Sequence, residues 1–219
     1  HQFEDAIRIA SVENVSIHRN HIHHVDDYYQ TGQHIDGIQF FPSGPSGRYY
    51  YPQSHNVIIS ENLFTEMTGQ MIFIQANYVD KIGFMHNITM TKNILGPKTV
   101  NDSSRPIQVQ GVRNYKMESN TVVGYVLIRK ESSGLLIGNI FGVLGVNEGA
   151  EVLPGSDFNV LGDLHVDPES TVDLASSVIS ATTYADIDAF DFAPTTMDAC
   201  SGGFDGLNAG AVPCTPCEW

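Results

Sequence analysis

The chain has 219 residues, 42% of them apolar and 16% charged, with 11 Lys and Arg against 25 Asp and Glu for a net charge of −14. So acidic a chain is poorly matched to nucleic acid or an anionic membrane surface, and no run is long and apolar enough to insert in a membrane as a helix. The length suits one large domain, or one domain with a tail; His1 is not a natural initiator and no signal peptide opens the chain, so it reads as a fragment or a processed product.

In chain order, five short segments alternate apolar with other residues: AIRIA (6–10), GIQFF (37–41), MIFIQ (71–75), PIQVQ (106–110) and YVLIR (125–129). The period of two predicts strands, with Ile7/Ile9, Ile38/Phe40, Ile72/Ile74, Ile107/Val109 and Val126/Ile128 on one face. A second strand follows each. Asn14, Asn56, Asn87 and Asn114 are each followed by an apolar pair, Val15/Ile17, Val57/Ile59, Ile88/Met90 and Tyr115/Met117. Six positions on comes another asparagine: Asn20, Asn62, Asn93 and Asn120. Ser133, Gly134, Leu136 and Asn139 read as a fifth, degenerate copy. From the first apolar residue of a unit to its asparagine position is 7 residues in copies one, four and five, but 18 and 15 in copies two and three. One unit therefore recurs, and loops of different length enter at one corner.

Such a unit cannot bury its own apolar face and must stack on its neighbours, which predicts a solenoid. Asparagines at equivalent corners would superpose as amide ladders, and asparagine tolerates the left-handed backbone of a sharp corner. A β-sandwich would explain the alternation but not the equal asparagine offsets, and neither leucine-rich nor paired-helix repeats are spelled. Of three N-x-S/T triplets, at Asn14, Asn87 and Asn101, two coincide with ladder positions and read as structural.

On the N-φ-x-φ-x-x-N copies (φ apolar), residues 5–145 resemble right-handed parallel β-helix proteins of the pectate-lyase type. TTMDACSGG (195–203) and NAGAV (208–212) are similar to a terminal segment of that group. The resemblance implies an all-β, right-handed parallel β-helix. The copies count about five rungs over 1–145, with 146–219 as a final rung, a cap over the open end and a cysteine-containing tail. Cys200, Cys214 and Cys217 suggest a staple from Cys200 to Cys214 or Cys217 in an oxidising compartment. The alternative is free thiols, and with no histidine after His165 a zinc site there lacks a ligand.

Outward positions of the first strands should form columns: Arg8, Gln39, Phe73, Gln108, Leu127, and two residues on Ala10, Phe41, Gln75, Gln110, Arg129. Amides for hydroxyl pairs, aromatic faces and guanidinium groups suit a sugar chain, so Gln39, Phe41, Phe73, Gln75, Gln108 and Gln110, with Arg48 and Arg105, are the expected glycan-binding residues; a plain solvated face is the bland reading. The densest ionisable stretch is HRNHIHHVDDYYQTGQHIDG (18–37). His23, His24, Asp26, Tyr28 and Asp36 supply a base, an acid and a carboxylate, the kinds of group that a uronate lyase or epimerase needs. Alginate epimerases of the resembled fold use His, Tyr and Asp around a DPH motif, for which HVDDYY (24–29) is the nearest stretch here; HVDP (165–168) carries similar letters past the repeats. Asp26, Asp27 and Asp36 are candidate calcium ligands, and His21 and His23 on one strand face offer nitrogen to a metal. The Tyr49–Tyr51 run beside Arg48 reads as a contact loop.

The sequence thus predicts an extracellular or particle-surface protein that engages a polysaccharide. It is either a lyase or epimerase, or a non-catalytic adhesive spike of a phage-like particle or cell surface, or a structural piece of a larger protein. A homotrimer or larger parent assembly would suit so few repeats.

Overall fold

The computed structural model describes residues 5–25, 35–41, 53–76, 79, 83–96 and 105–180, with the backbone of 184–186 and 191–194. The first turns each carry three strands: β1 (Asp5–Ile9), β2 (Glu13–His18) and β3 (His21–His23), then β4 (Asp36–Phe40), β5 (His55–Ser60) and β6 (Leu63–Thr65), then β7 (Gln70–Gln75), β8 (Met85–Thr91) and β9 (Ile94–Gly96). β10 (Ile107–Gln110), β11 (Val112–Glu118), β12 (Thr121–Arg129), β13 (Ser133–Ile137), β14 (Ile140–Val146), β15 (Glu151–Val152), β16 (Val160–Val166), β17 (Thr171–Val172) and β18 (Val178–Ile179) continue the pattern. A separate antiparallel pair, β19 (Tyr184–Asp186) and β20 (Asp191–Pro194), follows.

The chain is all-β and its sheets are parallel and solenoid-like. One sheet runs β1-β4-β7-β10-β12-β14-β16-β18 and a second runs β2-β5-β8-β11-β13-β15-β17, so each strand pairs with its equivalent one turn away. β3, β6 and β9 form a third strip that merges into the first sheet through β12, whose Thr121 pairs with Ile94 and whose Val126 pairs with Ile107. The period-two pattern then sets the register, because a one-residue slip would turn every apolar side chain outward. Ile7, Ile38, Ile72, Ile107, Val126 and Leu144 follow one another in a single inward file. From Ile38 onward these residues are fully buried. Val57, Ile88 and Tyr115 form another file on the second sheet, and Phe64, Leu95, Val122 and Phe141 one on the third strip. Each fully buried aliphatic side chain contributes about 1.5–3 kcal/mol.

Both asparagine series stack. On the exposed side, Nδ2 of Asn56 donates to Oδ1 of Asn14 (3.1 Å), Asn87 to Asn56 (2.8 Å) and Asn114 to Asn87 (2.7 Å). All four lie in the left-handed region, with φ between 54° and 57°. On the inner side, Nδ2 of Asn20 donates to Oδ1 of Asn62, and the chain of bonds continues to Asn93, Asn120, Asn139 and Asn159, each 2.9–3.0 Å long. From Asn62 to Asn159 these residues are buried. From Asn62 onward each Nδ2 also donates to a main-chain carbonyl of the preceding turn, such as Ile59 for Asn93 and Met90 for Asn120. The inner ladder thus saturates amides that have no access to water.

One expectation needs correction. The fifth copy is one residue short: Arg113 pairs with Ser133 but Tyr115 with Gly134, so nothing corresponds to Asn114 and the outer ladder stops there. Gly134 takes the place of a bulky file member and the Tyr115 ring fills the space, its hydroxyl donating to the carbonyl of Glu151 at 3.2 Å. Burial pushes that phenol far above its ordinary pKa. Parallel stacking continues past 145, where a final rung was expected. Val146 pairs with Val166, Glu151 with Thr171 and Val160 with Val178, so the acidic, irregularly spaced stretch carries further turns. Its inward residues are separated by turns such as Asn147–Ala150 and Asp167–Ser170, which conceal the period. The cysteines, the terminal signature segments and the triplet at Asn101 lie outside the described residues.

Candidate functional site

The predicted columns exist in register. Arg8 pairs with Gln39, Gln39 with Phe73, Phe73 with Gln108 and Gln108 with Leu127; Gln75 pairs with Gln110 and Gln110 with Arg129. Their exposure differs along the face. Arg8 and Arg105 are exposed, and Gln39, Phe41, Gln75 and Arg129 are half-buried, but Phe73, Gln108 and Gln110 are 7%, 6% and 3% exposed. Side chains one strand spacing apart shield one another, and Gln108 is further held by a 2.9 Å bond from Nε2 of Gln70 to its Oε1. Ala76 and Val79 pack over Gly111, beside Gln110. The middle of the face is therefore largely covered, with Gln75 its partly accessible polar group, and the exposed polar groups lie toward the two ends. Arg48 lies outside the described residues.

At the N-terminal end, the guanidinium of Arg8 lies 4.6 Å from the Phe41 ring centroid and 3.7 Å from the Asp5 carboxylate. Asp5 Oδ1 accepts the Asp36 N–H at 3.0 Å. Asp36 pairs with Gln70 in the next turn and is fully buried, so it supports this end of the face from beneath rather than presenting a carboxylate to solvent.

His23 and His24 stand at the corner that leads into the same face. Ile22 and Phe64 point inward and pair with each other, which turns His21 and His23 outward. His24 and Glu66 follow their strands at equivalent positions, both left-handed (φ 54° and 53°), and their side chains meet: His24 Nδ1 lies 2.9 Å from Glu66 Oε2 and 2.6 Å from His23 Nδ1. His21 bonds Thr65 Oγ1 at 2.9 Å, and its ring lies 4.6 Å from that of His23. Of the five predicted catalytic residues the structure brings His23 and His24 together at this corner, while Asp36 lies buried beside Asp5 and Gln70. The others, Asp26 and Tyr28, lie outside the described residues, as does Asp27, so of the proposed calcium ligands only the buried Asp36 is described. Glu66 itself escaped sequence reading, although the repeat marks it: His24 is four residues past Asn20 and Glu66 four past Asn62.

The C-terminal end holds a second group that sequence reading set aside because it lies past the recognisable copies. The file that contains Gln108 and Leu127 runs on through Gly145 to His165. Asp163, two residues earlier on the same face, pairs with Val143, which pairs with Tyr125. His165 Nε2 bonds Asp163 Oδ2 at 2.8 Å, and the Tyr125 ring lies edge-on to the imidazole with centroids 6.2 Å apart. Gly145 makes this possible, because a side chain there would collide with the Tyr125 hydroxyl. The Leu164 N–H and then His165 hold the Asp163 carboxyl below its ordinary pKa. Asp163 and His165 are exposed and Tyr125 is half-buried. An imidazole oriented by a carboxylate beside a phenol is an acid–base set.

The second sheet carries a shallow groove of about 410 Å³ lined by Asn14, Asn56 and Asn87 of the outer ladder and by Ile58, which is 47% exposed. The chain matches no family model, no curated protein and no solved structure.

Proposed function

We propose that the protein is a right-handed parallel β-helix of the pectate-lyase-like kind that binds a uronate-type polysaccharide along the outer face of its first sheet and acts on it as a lyase or epimerase. Within 1–145 the second sheet has five described strands, β2, β5, β8, β11 and β13, in keeping with the five repeat copies, and β15 and β17 support further turns beyond them. The observation that carries the reading is the position of His165, in one file with Arg8, Gln39, Phe73 and Gln108, bonded to Asp163 and beside Tyr125. In this scheme His165 removes the C5 proton of a uronate, Asp163 fixes the imidazole, and Tyr125 returns or delivers a proton from its hydroxyl. In this scheme Arg129, beside Gln110 and paired with Glu148, and Arg8, at the other end and paired with Asp5, would exchange these partners for sugar carboxylates. The site would be extracellular or on a particle surface. The exposed Val166, Val178 and Ile179 of the last turns favour a homotrimer or a larger parent assembly that covers them.

The burial of Phe73, Gln108 and Gln110 favours a second reading, a non-catalytic glycan-binding or adhesive module that grips only at the ends of the face. Incubation with a panel of uronate polymers separates the two. Ultraviolet absorbance reports unsaturated ends, and loss of label at C5 reports epimerisation. Turnover that disappears in His165→Ala and Tyr125→Phe while glycan-array binding persists supports the enzyme. Binding without turnover across the panel leaves the adhesive module, and no binding to any glycan refutes both.

A further inference from the structure

We propose that His23, His24 and Glu66 form a binding site for one divalent transition-metal ion of the zinc class. The donor set is two imidazole nitrogens and a carboxylate oxygen, the ligand chemistry that zinc, cobalt and nickel take and that calcium and magnesium do not favour. All three ligand atoms lie within 4.8 Å of one another. The two nearest pairs are His23 Nδ1 to His24 Nδ1 at 2.6 Å and His24 Nδ1 to Glu66 Oε2 at 2.9 Å. Ligand atoms around a tetrahedral ion with bonds of about 2.0–2.1 Å stand roughly 3.3 Å apart, so small rotations of exposed side chains open a seat for the ion.

Hydrogen bonds alone serve this arrangement poorly. His24 Nδ1 faces both a nitrogen and a carboxylate oxygen, and a single N–H on it can point at only one of them. A cation at the centre accepts a lone pair from each of the three atoms. The backbone positions the donors before any ion arrives. His24 and Glu66 leave equivalent left-handed corners of adjacent turns, and the turns are clamped by Asn20 on Asn62 and by His21 on Thr65. The contact of His21 with His23, 4.6 Å between centroids, steadies the third donor. With three protein ligands on an exposed corner, the ion keeps at least one position for solvent or an incoming ligand.

The inference does not rest on the glycan reading, because the acid–base group proposed there is Asp163, His165 and Tyr125. Full-length protein stripped with a chelator and dialysed is titrated with Zn²⁺, Co²⁺ and Ca²⁺ by calorimetry, with no glycan present. One equivalent of Zn²⁺ is expected, with Co²⁺ giving visible d–d bands and no thiolate charge-transfer band, and no stoichiometric Ca²⁺ uptake at this site. His24→Ala should weaken Zn²⁺ binding at least tenfold, and Glu66→Gln should do the same while keeping the size and hydrogen-bonding capacity of the side chain. Circular dichroism that matches the parent shows that the solenoid survives; should His24→Ala fail to fold, His23→Gln replaces it. Absence of stoichiometric Zn²⁺ uptake, a thiolate band with Co²⁺, or undiminished affinity in folded Glu66→Gln overturns the proposal.

Discussion

The inner asparagine ladder lends itself to a quantitative test at Asn93. Its Nδ2 donates to the Ile59 carbonyl (2.8 Å) and to Asn120 Oδ1 (2.9 Å), and its Oδ1 accepts from the main-chain N–H (3.1 Å) and the Nδ2 (2.9 Å) of Asn62. The side chain is fully buried, so Asn93→Ala removes four bonds that water cannot replace. At about 0.5–1.5 kcal/mol net for each bond, the loss is roughly 2–6 kcal/mol, a large share of the ~5–15 kcal/mol that holds a typical domain together. Asn20 belongs to the same ladder but is exposed and donates only to His18 O and Asn62 Oδ1. Solvent can take over there, and Asn20→Ala should cost about 1 kcal/mol or less. Urea unfolding followed by both circular dichroism and fluorescence gives the comparison, with the Asn93 variant losing about 1 M or more in midpoint at unchanged slope. Equal midpoints for the two variants would refute the reasoning, because position in the ladder, not residue type, is held to set the cost.

The outer ladder makes a different prediction. At Asn87, φ is 54° and the side chain is exposed, so Asn87→Gly should be milder than Asn87→Ala by about 1 kcal/mol in the same unfolding assay, the reverse of the order in a regular strand. Gly134→Ala places a methyl group against the Tyr115 carbonyl and ring and should cost about 1–3 kcal/mol or more by thermal unfolding; a neutral result would mean that Tyr115 is not seated as described. The Asp163 carboxyl is depressed in the folded state, so its contribution is present above its unfolded pKa of about 3.9 and is lost as the pH falls through the lower folded value. The stability gap between the parent and Asp163→Asn should therefore be constant from neutral pH down to about pH 5 and close below about pH 4. A gap that persists in acid would show that this carboxylate is not held by the Leu164 N–H and His165.

Several features of the site were legible before the fold. The file Arg8, Gln39, Phe73, Gln108 and Leu127 followed from period-two alternation and the common offset to the asparagines, and every neighbour in it pairs as expected. The grouping of His23 and His24 was visible as a local cluster. Glu66 was not, because its partner His24 is 42 positions away and only the asparagine register links them. His165 was passed over because the turns beyond 145 contain no asparagine at the outer corner, and Ser156 and Ser177 take hydrogen-bonding places at their edges.

The sequence by itself determined the coil of stacked turns. Alternation fixed which side chains face inward, and the repeated asparagines fixed the level of each strand, since both are local rules that any copy of the unit obeys. Only the tertiary structure decided what lies open. Exposure depends on what other turns and loops place against a residue, so Gln108 and Gln110 are covered while Asp163 and His165, with similar strand positions, are not. The same holds for His24 beside Glu66 and Tyr125 over Gly145: stacking brings together residues one turn apart, and unequal loops hide that distance in the linear chain.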